Sequence, residues 1–192
     1  MKKRIAAVMV CLAVAAISIS GTMAYFTADE IATNVITSGK IDIELQEWEV
    51  EDQVPYPEER LEGIMPGDVI SKIVKVENKE DSADAYVRIK VTKKITAGDT
   101  ELDADVLSLD FNRDYWIEKD GYFYYIKALA PGEKTEPLFR TVTFAAEDMD
   151  NDYQNCNVEI IVEAEAVQAK NQSGFSATQA KGWLSDQQGE EQ

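Results

Sequence analysis

The stretch TMAYFTADEIATNVITSGKIDIEL, residues 22–45, joins two segments of different character. In its last six residues, polar and apolar side chains alternate with a period of two, which predicts a β-strand with one buried face. Near its start, a small-x-small sequence ends at Ala24, which is typical of a signal-peptidase site. The junction therefore predicts an export signal on its N-terminal side and a β domain on its C-terminal side.

Residues 1–24 have the features of a secretory signal peptide. Three basic residues precede an apolar run over residues 5–19, which is shorter than the roughly 20 residues that a membrane-spanning helix needs. We predict that a signal peptidase cleaves between Ala24 and Tyr25. The uncleaved signal is then the only predicted attachment to a membrane, and the processed chain is expected to be secreted.

The residues after the junction predict seven or eight short strands. The clearest strands lie at residues 87–91 and 158–166, where apolar side chains alternate with polar ones. Two aromatic runs flank Asp120-Gly121, a pair suited to a tight hairpin turn. Short strands separated by turn signals predict an all-β, two-sheet antiparallel sandwich. The pattern alone leaves jelly-roll and immunoglobulin-like topologies open.

Three segments are predicted to lack strands. The acidic, proline-marked residues 46–62 are expected to form a long loop, and residues 98–112 a helical turn within a loop. Residues 170–192 are expected to be a polar, disordered tail, in which only residues 176–184 have a short-helix pattern. The predicted β-sandwich domain accordingly covers residues 38–169.

The charge of the chain limits its partners. The 192 residues carry a formal net charge of −17, and the predicted signal holds three of the 19 basic residues and none of the 36 acidic ones. The processed chain would therefore carry −20. Such a charge repels nucleic acid phosphates, so we expect no nucleic acid partner.

The absence of histidine limits the chemistry. A zinc peptidase of the HExxH type needs two imidazole ligands, and Ser-His and Cys-His nucleophile systems need one. The chain has no histidine, and Cys156 is the one cysteine that remains after signal cleavage. We therefore predict a protein that is not an enzyme, with no cofactor other than a candidate calcium ion.

The calcium candidate is an acidic cluster before the last predicted strand. Its carboxylates occupy positions 1, 3, 5 and 12 of a calcium-loop spacing, at Asp148, Asp150, Asp152 and Glu159. Tyr153 stands where such loops need glycine, and predicted strands rather than helices flank the segment. A solvated acidic loop is the competing interpretation.

Two further features suggest binding surfaces. The aromatic run at residues 122–125 would bind sugar rings if it formed an exposed row, or would be core if it were packed. The predicted N-terminal arm, residues 25–37, carries five apolar side chains that would allow it to pair as an extra strand: Tyr25, Phe26, Ile31, Val35 and Ile36. The arm either folds back on its own sheet or enters an open edge of a neighbouring subunit, which would grow a filament.

Several segments resemble one known family. The run MAYFTADEIATNVITSGKIDIEL, the turn and strand MPGDVISKIVKVENKEDSADAYVRIKV, the hairpin YWIEKDGYFYYIKALAPGE, and the strands PLFRTVTFAAE and VEIIVEAEAVQA are similar to the TasA/camelysin family of Gram-positive bacteria. The resemblance implies a jelly-roll β-sandwich, release by a dedicated ER-type signal peptidase, and assembly into matrix fibres in some members. Some relatives have been classed as metallopeptidases.

The resulting functional hypothesis is a secreted structural protein of the extracellular or biofilm matrix, which self-associates or joins related matrix subunits through its arm. The alternative is a cell-surface module that binds carbohydrate or calcium. A camelysin-like protease is a third reading.

Overall fold

The computed structural model describes residues 41–57, 65–145, 147, 149, 151–153, 156–170, 172, 176–183 and 186. Its regular structure is almost entirely β. The strands are β1 Ile43–Val50, β2 Val54–Pro55, β3 Val69–Ser71, β4 Ile73–Asn78, β5 Ala85–Ala97, β6 Thr100–Leu102, β7 Leu107–Leu109, β8 Trp116–Lys119, β9 Tyr122–Tyr125, β10 Thr141–Phe144 and β11 Asn157–Gln168. Single 3₁₀ turns lie at Asn151–Tyr153 and Ala177–Gln179. Within the described ranges, no helix has the length and apolar character needed to cross a membrane.

One layer of the fold, the front sheet, combines two three-stranded groups. Their strand orders are β2-β1-β4 and β3-β10-β7, with antiparallel pairing throughout. Two backbone hydrogen bonds connect these groups. Lys72 N–H donates to the Arg140 carbonyl (2.9 Å), and Val74 N–H donates to the Phe139 carbonyl (3.2 Å). The chain segment before β10 therefore continues the sheet beside β4.

The other layer, the back sheet, has the order β11-β5-β9-β8, and β6 pairs with the end of β5. Its longest ladder joins β5 and β11 from Ala85↔Gln168 to Thr96↔Asn157. The apolar positions that alternate along both strands face the front sheet, as period-two patterning requires. Polar positions of the same strands form the outer face of the back sheet.

The main core lies between the two sheets. It combines Val74 and Val76 of β4 with Val87 and Ile89 of β5, all fully buried. Trp116, Phe123 and Tyr125 of the β8–β9 hairpin close one part of the core, together with Leu138 and Phe139. This arrangement confirms the predicted all-β, two-sheet antiparallel sandwich. The jelly-roll assignment comes from the family resemblance.

The predicted turns form because their residues reach positive φ. Asp120 and Gly121 have φ of 52° and 79°, which is the pattern of a type I′ hairpin turn. At the Pro66-Gly67 turn, Gly67 has φ of 93°, and Asp68 N–H donates to the Met65 carbonyl (3.0 Å). These values match the type II turn that the sequence predicts.

Two of the predicted loops contain strands. β1 extends through the first part of the acidic stretch, because β4 supplies a pairing partner as far as Trp48↔Ile73, and β1 then turns back into β2. Residues 98–112 form β6 and β7 rather than a helical turn. Leu107 of β7 is buried, so pairing with β5 and β10 prevails over the local helical spacing.

The short-helix pattern at residues 176–184 of the tail corresponds to a 3₁₀ turn at Ala177–Gln179. Ala177, Ala180 and Trp183 are buried against the outer face of the back sheet. The polar composition of the tail concealed these apolar contacts. Residues 69–78 form two strands, β3 and β4, with Lys72 between them.

Candidate assembly site

Each layer ends in a strand on the same side of the sandwich. β11 ends the back sheet, and β1 ends the front sheet ahead of its short pairing with β2. β1 and β11 approach each other closely. In the part of the chain that the structure describes, no strand pairs with the outer edge of β11 or with β1 before Trp48. We refer to these two edges as the β1–β11 seam.

The hydrogen-bond alternation identifies the backbone groups that face the seam on β11. Ala169 N–H donates to the Asp84 carbonyl (2.8 Å), whereas Ala85 exchanges hydrogen bonds with Leu129 on the other side of β5. Residues with odd numbers in β11 therefore direct their N–H and C=O groups to β5, and residues with even numbers direct theirs to the seam.

The same argument applies to β1. The Asp42 carbonyl accepts a hydrogen bond from Lys79 N–H (2.9 Å), which continues the β1–β4 ladder. Asp42 and every second residue after it therefore face β4. Ile43 and Leu45 direct their backbone groups to the seam.

Apolar side chains along the seam are only partly covered. Leu45 of β1 and Val158 and Ile160 of β11 point toward the core but are half-buried. Farther along β11, Val162 and Ala164 are fully buried. The core is therefore less complete at one end of the seam than at the other.

This geometry suits the addition of a strand. An extended peptide at a sheet edge gains main-chain hydrogen bonds, and its alternate side chains enter apolar gaps. Natural proteins protect such edges with charged residues, and β11 carries Glu159, Glu163 and Glu165 on its outer face. The charged residues therefore disfavour pairing of the seam with an arbitrary strand. A strand whose apolar side chains fit the gap between the sheets could still pair with it.

The donor of such a strand lies outside the described residues. The five arm residues Tyr25, Phe26, Ile31, Val35 and Ile36, and the predicted cleavage site at Ala24 and Tyr25, fall in residues 1–40. They remain predictions, and the structure describes only the edge that would accept the arm.

The four calcium candidates have different outcomes. Asp148 and Asp150 lie outside the described residues, whereas Asp152 and Glu159 are exposed. The Glu159 carboxylate accepts a hydrogen bond from Asn157 Nδ2 (2.8 Å). Across the described ranges, no three His, Cys, Asp or Glu side chains are grouped to hold a metal ion.

The aromatic hairpin distributes its side chains over both faces of the back sheet. Phe123 and Tyr125 enter the main core, and Tyr124 is buried on the opposite, outer face. Tyr122 is half-buried beside Tyr124, with ring centroids 6.3 Å apart. The exposed aromatic row that would favour carbohydrate binding is therefore not formed by these residues.

Arg88 is the centre of a polar cluster on that outer face. Its side chain is 2% exposed. The guanidinium donates to Glu165 through Nε (3.1 Å) and Nη2 (2.9 Å), to Tyr124 Oη (3.0 Å), and to Asp186 Oδ1 (2.8 Å). It also lies over the rings of Tyr122 (3.9 Å) and Trp183 (4.5 Å).

The electrostatics of this cluster favour the charged form of Arg88. Burial opposes the charge, but the hydrogen bonds with Asp186 and Tyr124 and the charge of Glu165 outweigh it and raise the pKa of Arg88. The alternating pattern of residues 87–91 does not predict this cluster. One signal in the sequence points to it: Trp183 is an isolated indole in a polar tail.

A family model described as "Camelysin metallo-endopeptidase" matches residues 1–117, which is more than half of the chain. No curated protein and no solved structure gives a significant match. The family description implies a metal-dependent peptidase. The donor set does not fit a histidine-ligated zinc ion, because the chain has no histidine and the described acidic side chains do not converge on one point.

Proposed function

The chain belongs to the camelysin metallo-endopeptidase family, and we propose that it is a secreted structural protein of the extracellular or biofilm matrix. In this proposal it is not an enzyme, and it polymerises by donating its N-terminal arm to a neighbouring subunit. The family membership supports a camelysin-like or matrix-type protein. The arm-exchange mechanism rests on the geometry of the β1–β11 seam.

The observation that carries the proposal is that two neighbouring edges, which no strand within the described ranges pairs, lie beside half-buried apolar side chains. Leu45, Val158 and Ile160 line the less complete end of the core. The arm contains apolar residues in the segment directly ahead of β1. A strand that enters the seam of the next subunit would pair with free backbone groups and cover these side chains.

Cleavage of the signal peptide would control when the subunits polymerise. Before cleavage between Ala24 and Tyr25, the start of the arm is tied to the membrane-associated signal. Cleavage releases residues 25–37, which then enter the seam of another subunit. Such a contact is heterologous: each subunit offers an arm on one side and a seam on the other, so the contacts continue as an open filament.

The apolar residues of the arm are required on energetic grounds. Ordering an extended segment costs roughly 1–2 kcal/mol per residue, and a backbone hydrogen bond returns a net of only about 0.5–1.5 kcal/mol. Burial of a large apolar side chain adds about 1.5–3 kcal/mol. Assembly should therefore depend on Ile31, Val35 and Ile36 and on protein concentration.

The experiment compares purified chains that begin at Tyr25 with chains that begin at Ser38, by electron microscopy and light scattering over a concentration series. Filaments are expected only from the longer chain, and an Ile31, Val35 and Ile36 triple serine variant should behave like the shorter one. Equal behaviour of the two chain lengths would refute arm donation.

An edge variant tests the acceptor. Val158→Pro removes an N–H that faces the seam while leaving the β5 ladder intact, because proline is tolerated at a strand edge. It should reduce filament growth from the chain that begins at Tyr25. Ile161→Thr, an exposed position of the same strand whose backbone is directed to β5, is the matched control.

The non-enzymatic part of the proposal has a separate test. Casein hydrolysis by the purified chain that persists through removal of contaminants, and that a chelator abolishes, would contradict it. Calcium added to the assembly reaction tests the remaining metal candidate. A filament yield that rises with calcium, and that loses this dependence when Asp152→Asn and Glu159→Gln are combined, would support ligands in the acidic segment that also holds Asp148 and Asp150.

A further inference from the structure

Residues 176–183, together with Asp186, lie across the outer face of the back sheet, and we refer to them as the C-terminal strap. Three of its side chains are buried. Ala177, Ala180 and Trp183 pack against a sheet surface made of Tyr86, Tyr124 and Val167. Trp183 meets the Tyr124 ring edge-on, with centroids 5.8 Å apart.

Polar contacts join the strap to the sheet and to the segment before it. Arg88 is its main polar anchor, through Asp186 (2.8 Å), whose side chain is 58% exposed. Lys119 Nζ donates to the Thr178 carbonyl (3.4 Å), and the Gln172 side chain bonds both backbone groups of Lys181. An ion pair with one solvent-exposed partner contributes little. The strap packs outside the main core, in a smaller cluster on the outer face, and such peripheral segments open before core strands do.

The surface beneath the strap is apolar and continues into exposed neighbours. Opening uncovers Tyr86, Tyr122 and Tyr124, and each aromatic side chain presents roughly 150–250 Å². Ile117, which is 46% exposed, is the cross-strand partner of Tyr124. By the same alternation, Tyr115 (40% exposed) and Ile126 (43% exposed) extend the patch. Such an area reaches the few hundred Å² at which surface patches mark association sites.

The charge pattern of the same face identifies the partner as a second copy of the chain. Along β5 the outward residues include Arg88, Lys90 and Lys94, and the register places them opposite Glu165, Glu163 and Glu159 of β11. One face therefore carries a basic row beside an acidic row. Two copies can face each other through these surfaces, related by a two-fold axis that runs parallel to the strands and passes between β5 and β11. The basic row of each copy then lies over the acidic row of the other.

We propose that the C-terminal strap is a cover that prevents two copies from pairing through the outer faces of their back sheets, and that its opening creates the surface for a two-fold dimer. This pairing uses neither the arm nor the β1–β11 seam. It therefore stands independently of the proposed filament contact.

The test uses the chain that begins at Ser38, which lacks the arm, with Trp183→Ser and Asp186→Asn together; these changes release the strap and leave the sheet sequence unchanged. Light scattering after size exclusion should show an increase of about two-fold in mass, with higher binding of an apolar dye. Gln179→Ala, an exposed strap position, is the matched control and should stay monomeric.

A charge exchange tests the geometry of the dimer. Lys90→Glu in the strap-released chain should restore the monomer by placing like charges together, and Lys90→Glu with Glu163→Lys should restore the dimer. The experiment is repeated on chains that begin at Tyr25 to find out whether the arm is needed for association. Association that requires the arm would belong to the filament contact and would overturn the strap proposal, as would a strap-released chain that stays monomeric.

If the variant with Trp183→Ser and Asp186→Asn loses its β-sheet circular dichroism signal, the proposal is tested on the unmodified chain instead. A dimer that grows with concentration and that Lys90→Glu removes supports the proposal, and strap amides should then exchange at least ~10-fold faster than those of β5. Absence of that dimer, or strap amides as protected as β5, overturns it.

Discussion

Substitution of Trp183 by alanine tests whether the strap is part of the folded domain. The side chain is 2% exposed, and its Nε1 donates to the Ala180 carbonyl (3.0 Å). An indole buried to this extent removes roughly 200 Å² from water, which amounts to ~5 kcal/mol at about 25 cal/mol/Å². Areas computed against an extended chain are too large by roughly 10–40%. We therefore expect a loss of about 3 kcal/mol in the free energy of unfolding.

The assay is urea unfolding of the processed chain, followed by far-ultraviolet circular dichroism so that loss of the indole does not change the signal. A loss of ~3 kcal/mol corresponds to a decrease of about 6–12 °C in Tm for a chain of this size. Gln179→Ala, on the exposed side of the same turn, should change stability by less than ~0.5 kcal/mol. A Trp183→Ala loss below ~1 kcal/mol would show that the strap does not pack on the sheet in solution.

Three further substitutions have defined outcomes. Hydrogen bonds from Lys75 and Arg140 hold the pKa of Glu51 below its ordinary 4.5. The Glu51 carboxylate therefore stabilises the fold above pH 4.5, and this stabilisation is lost as the pH falls through the lowered pKa. Glu51→Gln should make the free energy of unfolding less dependent on pH on the acid side, whereas Glu49→Gln, at an exposed position, should leave that dependence unchanged. Gly121→Ala should cost about 1 kcal/mol in urea unfolding, because φ is 79° and open space surrounds the added methyl group; an unchanged stability would contradict the type I′ turn. Arg88→Lys should lower the free energy of unfolding by ~1–3 kcal/mol, because a lysine ammonium cannot make the several hydrogen bonds of the guanidinium. An unchanged free energy of unfolding would show that the polar cluster around Arg88 is not formed in solution.

The layers of the fold were predictable because their strands carry simple alternation. Residues 158–166 show this most clearly: Val162, Ala164 and Ala166 are buried as the period of two requires. The turn at Asp120-Gly121 was predictable for a local reason, since its residues favour positive φ. In both cases the determining interactions lie within a few residues of one another.

The errors occurred where distant partners decide the structure. β1 extends through acidic residues because β4 lies beside it, and no local pattern reveals that neighbour. Arg88 lies in the alternating pattern of residues 87–91, which does not reveal its partners Glu165 and Asp186, 77 and 98 positions away. The half-buried state of Leu45 and Ile160 also depends on how the two sheets meet, which composition does not encode.

The most direct test of the account is a photo-crosslink from the arm. A photoreactive residue replaces Ile31 in the processed chain, filaments are grown from an equal mixture of ¹⁵N-labelled and unlabelled protein, and mass spectrometry identifies the crosslinked peptides. Arm donation predicts crosslinks that join labelled to unlabelled chains and that fall on β1 or β11. Crosslinks confined to single chains, or located on the outer faces of the sheets, would contradict it.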